Sequence, residues 1–242
     1  MQQNVLNGEH RLLDPNDRRH ARGTLDTCLE ALAEHDLPAP TQPAVIVLHG
    51  LGRSRKSMSG MAQSLADAGF TPIRLDYPST RRALETHVEQ VVEVIAHLEV
   101  ERISFVTHSL GGIIARGVLA HPGLEAKVDR IVMCAPPSQG ASLARVLKTR
   151  VPSVFGAVMG PTGAQLAAGI EYPAPHVPFM VIAGSRGPKG LNPWIEGDDD
   201  GIVAVEETKL PSMTEHVIVD SIHTFVMDHP QAREAATRFM KE

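Results

Sequence analysis

The chain has 242 residues, 43 % of them apolar, which is enough for one well-buried core and comfortable as a single domain. A formal charge of -5, with no Lys or Arg run interleaved with aromatics, argues against nucleic acid as a partner. The two isolated cysteines, Cys28 and Cys134, imply no disulfide framework, and no run of about 18 consecutive apolar residues is present to form a transmembrane helix.

The first twenty residues scatter charges through a segment too polar for the core of a signal peptide, so a cytoplasmic location is expected. Residues 1–42 read as an N-terminal helical extension, with a helix around 25–35 packed outside the main sheet. Short β-branched runs that end in turn residues follow at 44–49, 71–77, 102–108, 130–135, 178–184 and 216–222, and they read as strands. Between them, 58–68, 83–98 and 110–119 have helical spacing, and a last helix follows Pro230. Strands alternating with helices make βαβ units, so the fold class is α/β with a mostly parallel sheet of about six strands flanked by helices. The stretch 137–177, rich in Gly, Pro, Ala and Met, breaks this rhythm. It reads as a small cap inserted over a pocket, although an irregular crossover that only fills space fits its length equally well.

Chemistry concentrates where these strands end. Arg-Ile-Ser-Phe-Val-Thr-His-Ser-Leu-Gly-Gly at 102–112 puts Ser109 at a strand-to-helix turn, the setting of a nucleophile elbow, with Gly111 and Gly112 beside it. Thr107 is larger than the first glycine of the G-x-S-x-G form, and by itself Ser109 could equally be a helix N-cap. Upstream, Ala-Val-Ile-Val-Leu-His-Gly-Leu-Gly at 44–52 ends a buried strand in a glycine-flanked loop. Acyl transfer needs two backbone N–H donors aimed at a developing oxyanion, and Leu51 and Leu110 are placed to supply them.

A base and an acid must follow the nucleophile in the order acid, then His. Gly-Asp-Asp-Asp-Gly-Ile-Val at 197–203 comes after the strand at 178–184, and His223 comes directly after the last strand. Asp200 is preferred as the acid, because Gly201 with Ile202 and Val203 lets a tight turn aim one carboxylate inward; Asp199 is second. Asp220 would have to reach around its own backbone. His216 begins a strand and His229 precedes Pro230, which leaves His223 as the base. The same acidic loop matches a calcium-loop pattern at Glu196, Asp198, Asp200, Gly201, Val203 and Glu207. However, Glu stands where that motif begins with Asp, and Gly187-Pro188-Lys189-Gly190 with Pro193 denies it the preceding helix, so no metal is expected. His49, His108, Leu166 and Val203 are expected to line the substrate site.

Taken in order, Leu-His-Gly-Leu-Gly at 48–52, Thr-His-Ser-Leu-Gly-Gly at 107–112, Ala-Pro-Pro-Ser-Gln-Gly at 135–140, Asp-Asp-Gly-Ile-Val at 199–203 and Ser-Ile-His-Thr-Phe-Val-Met at 221–227 carry a likeness. From about residue 43 to the C-terminus, the chain resembles small bacterial α/β-hydrolases of the lipase and carboxylesterase type. The resemblance implies a triad of Ser109, Asp200 and His223, an oxyanion hole at Leu51 and Leu110, and no cofactor. Expected from it is cleavage of a small-molecule carboxylic ester, with an apolar acyl group under the cap, through an acyl-enzyme. An acyltransferase or thioesterase on the same triad is the alternative, and a non-catalytic binding protein of the same fold the remaining one. Oligomeric state is left open by the sequence.

Overall fold

The computed structural model describes residues 1–4, 7–14, 18–34, 43–98, 100–124, 127–140, 146, 149–150, 152–169 and 172–242. These fall into two compact units, Met1–Thr41 and Gln42–Glu242. The first holds the expected helix, α1 (Leu25–Ala33), capped by the Thr24 hydroxyl, which accepts from the Thr27 amide at 3.2 Å. It also holds a feature that the sequence reading did not anticipate. Three short antiparallel strands precede the helix, β1 (Gln2–Gln3), β2 (His10–Leu13) and β3 (Arg19–Gly23). Their sequences, QQ, HRLL and RHARG, are too polar to show a period of two.

The second unit is built on six parallel strands: β4 (Ala44–Leu48), β5 (Thr71–Leu75), β6 (Ile103–His108), β7 (Val128–Cys134), β8 (Phe179–Ser185) and β9 (Glu215–Asp220), lying side by side as β5-β4-β6-β7-β8-β9. All six predicted strands form. Strands buried on both faces read as continuous apolar runs, and β4, AVIVL, is buried at every position. Alternate residues then feed two cores. Ile46, Leu48, Phe105 and Val181 pack with α3 (Leu84–Ala96) and α4 (Leu110–Leu119). On the other face, Val45, Val47, Val106 and Val132 pack with α2 (Ser59–Asp67) and with Ala232, Ala236 and Phe239 of the C-terminal helix Pro230–Phe239.

Because every strand runs the same way, every loop that follows a strand opens at one edge of the sheet. β4 connects to β5 on one side, and the chain then crosses back through α3 to β6 on the other side of β4. The resulting switch point lies between β4 and β6, the place where open α/β sheets bind ligands. Leu48 and Thr107 are direct neighbours there, so the loops at 49–54 and at Ser109 start together.

Within the expected cap, 141–145, 147–148, 151 and 170–171 lie outside the described residues. The remainder holds α5 (Pro152–Ala168), kinked at Gly160-Pro161, where Gly160 has φ 62°. A Cβ at Gly160 would stand 1.8 Å from the Thr80 carbonyl oxygen, so glycine is what lets the kink dock. Past the kink, the Thr162 hydroxyl donates to Arg82 O at 2.7 Å, and the Gln165 side-chain carbonyl accepts from Leu84 N at 2.8 Å. α5 is thereby tied to the loop that enters α3. No helix among the described residues is long and apolar enough to cross a membrane.

Candidate active site

Ser109 sits between β6 and α4 with φ 53° and ψ -118°, a backbone that L residues rarely adopt. Its amide donates to Cys134 O at 2.8 Å, and its carbonyl accepts from Gly112 N at 3.0 Å. The turn needs close approach of backbones: a Cβ on Gly111 would lie 2.8 Å from Leu48 O, and one on Gly50 would lie 3.2 Å from the Ser109 Cβ. Thr107 fits because it is fully buried with its hydroxyl donating to Val132 O at 3.3 Å. The amides of Leu51 and Leu110 have no acceptor among the described residues. Leu110 is the first residue of a ten-residue helix, whose partial positive end adds to its donor strength. The Leu51 loop is held by Gly52, whose amide donates to the buried Ser79 hydroxyl at 2.9 Å.

His223 opens a short 3-10 turn (His223–Asp228) two residues beyond the end of the last strand. Its Nε2 lies 3.0 Å from Ser109 Oγ and its Nδ1 lies 2.8 Å from Asp200 Oδ2. A carboxylate only accepts, so the proton belongs on Nδ1, which leaves the Nε2 lone pair facing the serine hydroxyl. Asp200 is 2 % exposed, and its other oxygen accepts from Ile202 N at 3.0 Å and Val203 N at 2.8 Å. The Asp200 and His223 loops come this close because Gly184 stands one residue before the end of β8: a Cβ there would meet Asp200 Cβ and Ser221 O, each at 2.8 Å.

The three consecutive aspartates turn to three different sets of donors. Asp198 accepts from the Ser185 hydroxyl at 2.6 Å and Arg186 N at 3.1 Å. Asp199, fully buried, accepts from Leu191 N at 3.0 Å, Asn192 N at 3.1 Å and Gly201 N at 2.6 Å. Only Asp200 meets His223. Asp220 faces outward to Arg186, 2.6 Å away. Among the described residues, no group of three or more His, Cys, Asp or Glu side chains converges as a cation site would.

His49, His108, Leu166 and Val203, expected to line the substrate site, are each 5 % exposed or less. Leu166 belongs to the core on the α3 and α4 face. His49 stacks on Tyr77 with ring centroids 4.0 Å apart and bonds through Nδ1 to Gly50 O at 2.8 Å, while the Tyr77 hydroxyl donates to the His49 carbonyl. Tyr77 in turn leans on buried His87, ring centroids 5.3 Å apart. His108 donates from Nε2 to His223 O at 2.9 Å. Two features escaped the sequence reading. Arg53, whose Nη1 donates to Thr224 O at 3.2 Å, offers no motif or period in a loop. Gly184 did offer a signal, a glycine at the end of an apolar strand, which marks close backbone approach.

Burial pushes the pKa of all three inner histidines down: that of His49 below its usual value, that of His87 to about 4, and that of His108 well below its usual value, with the neighbouring His223 adding to the effect at His108. The unfolded chain therefore takes up protons below about pH 6.5 that the native state refuses, so native stability falls as the pH falls. Each ring contributes up to about 1.4 kcal/mol per pH unit in that window. Scanning calorimetry from pH 7 down to pH 4.5 should show a steadily falling Tm, and a flat Tm would contradict buried neutral rings.

The elements so far describe a parallel α/β protein with a serine held at a strained elbow on a central strand. A sequence profile described as alpha/beta hydrolase fold matches residues 43–174, more than half of the chain, and the protein belongs to that family. Among solved structures, the mature lipase BlEst2 of Bacillus licheniformis is similar with TM-score 0.62 and 16 % identity, over 85 % of this chain and 94 % of that one. A thermophilic esterase from Thermogutta terrifontis gives TM-score 0.59 and 16 % identity over 84 % and 91 %. The thioesterase domain from the curacin biosynthetic pathway gives 0.54 and 15 % over 84 % and 92 %. At such identities the likeness is one of fold. A sequence search among curated proteins finds no match.

Proposed function

We propose that the protein is a serine hydrolase that cleaves carboxylic esters through an acyl-enzyme. The observation that carries this reading is the hydrogen-bonded line from Ser109 Oγ through His223 to Asp200, with steps of 3.0 and 2.8 Å. His223 Nε2 takes the proton as Ser109 Oγ adds to the ester carbonyl, and Asp200 steadies the imidazolium through Nδ1–H. The Leu51 and Leu110 amides, unpaired among the described residues, receive the negative charge that develops on the carbonyl oxygen. As the tetrahedral species collapses, the bond to the alcohol oxygen breaks, and Nε2–H protonates it. Water, deprotonated by the same nitrogen, then releases the acid and frees Ser109.

The substrate is read as a small-molecule ester with an apolar acyl group. Support comes from α5, where a Cβ on Gly163 would lie 3.8 Å from the Leu51 side chain, which sets this helix beside the Leu51 loop as a cap would be. His49, His108, Leu166 and Val203 shape the site from behind rather than by touching substrate. A fluorophosphonate probe followed by peptide mass spectrometry tests the reading: the adduct is expected on Ser109 and is expected to disappear on heat unfolding. A folded protein that takes no probe and hydrolyses no p-nitrophenyl ester of any acyl length is not a serine hydrolase.

A further inference from the structure

The base occupies the least supported place in the site. β9 is an edge strand, and β7 and β8 stand between it and the strand that carries Ser109. At the usual strand spacing that is a separation of roughly 14 Å to be closed by the loop after β9. What closes it is a set of bonds to the backbone of His223 and Thr224. The His223 amide donates to Asp200 O at 2.9 Å. The His223 carbonyl accepts from His108 Nε2 at 2.9 Å, and the Thr224 carbonyl accepts from Arg53 Nη1 at 3.2 Å. The acid loop, the nucleophile strand and the oxyanion loop thus each contribute one bond to the same two residues.

His108 is placed for this and for little else. It is 1 % exposed. A carbonyl can only accept, so Nε2 carries the proton and Nδ1 is bare. That Nδ1 has no partner among the described residues and lies against Gly50, where a Cβ would stand 2.8 Å from it. A buried acceptor left without a partner calls for an explanation, and the bond made by the other ring nitrogen supplies one. The two imidazoles lie 4.9 Å apart, centroid to centroid, which also stops the His223 ring from swinging back off the serine. Arg53 has no carboxylate partner among the described residues, and the one described bond of its side chain is to the His223 loop.

We propose that His108 and Arg53 are positioning residues that lock the base loop to the nucleophile strand and to the oxyanion loop. This rests on the serine-hydrolase reading. Glutamine at 108 can place its amide nitrogen near the position of Nε2, whereas asparagine has the same polarity and is one bond too short. Misplacing a catalytic group by about 1 Å costs on the order of 100-fold in rate. H108N and H108L are therefore expected to lower kcat by about 10- to 100-fold with KM within about twofold, and fluorophosphonate labelling should slow in step. H108Q is expected to stay within about fivefold of the parent, with a Tm matching that of H108N. R53M should lower kcat by about tenfold at unchanged KM, and R53K should recover part of it.

The comparison of glutamine with asparagine carries the test even if H108L fails to fold. In an active parent, H108Q no better than H108N overturns the role of His108. R53M with raised KM and intact kcat makes Arg53 a substrate-binding group and overturns its role here. A parent that neither labels nor hydrolyses any ester overturns the serine-hydrolase reading itself.

Discussion

Replacing Ser109 with alanine is expected to lower kcat/KM for any hydrolysed ester by at least about 10⁴-fold. The change removes Oγ alone: the Ser109 amide keeps its bond to Cys134 O, and the 2.8 Å contact between His223 and Asp200 does not involve it. Tm should therefore stay close to that of the parent, which separates loss of the nucleophile from loss of the fold. Whatever slow turnover survives would come from water activated by His223 beside the two free amides. Purified S109A that keeps a tenth of the parental rate would mean that another group attacks the ester.

Asp200→Asn and Asp199→Asn are expected to fail in different ways. An amide at 200 no longer requires the proton on Nδ1 of His223, and the tautomer with the proton on Nε2 faces Ser109 with a donor where an acceptor is needed. A loss of about 10³- to 10⁴-fold in kcat follows from the wrong tautomer. Asp199 does not touch His223; its carboxylate gathers the amides of Leu191, Asn192 and Gly201. Asn at 199 puts an NH2 group where an acceptor stood, costing about 1–3 kcal/mol of stability. That cost lowers Tm by several degrees while kcat changes by less than about tenfold. Kinetics and calorimetry on the two variants would assign the acid to 199 if the pattern were reversed.

Much of this arrangement was readable from the residues. β4, β6, β7 and β8 are mostly buried, so apolar runs such as AVIVL and FMVIAGS announce them, and the loops that follow parallel strands must share one edge. That logic located Ser109 and His223, and the Gly201 turn pointed to Asp200 ahead of Asp199. Spacing does not reveal depth, however. His49 and His108 sit next to Gly50 and Ser109 in the chain yet are buried, as are Leu166 on α5 and Val203. The N-terminal strands were hidden because a two-residue or arginine-rich strand has no apolar period to read. Arg53 was hidden because its partner lies 171 residues away, a pairing that only the folded chain makes.

The backbone at Ser109 has a further meaning for the protein as a whole. A residue twisted into a geometry natural only to glycine holds back on the order of 1–3 kcal/mol of the molecule's cohesion. A glycine at 109 is expected to release that tension and, on the serine-hydrolase reading, to remove the nucleophile with it. Endurance and reactivity are set against each other at one atom's distance, and any effort to toughen the protein has to find its gains elsewhere in the sequence.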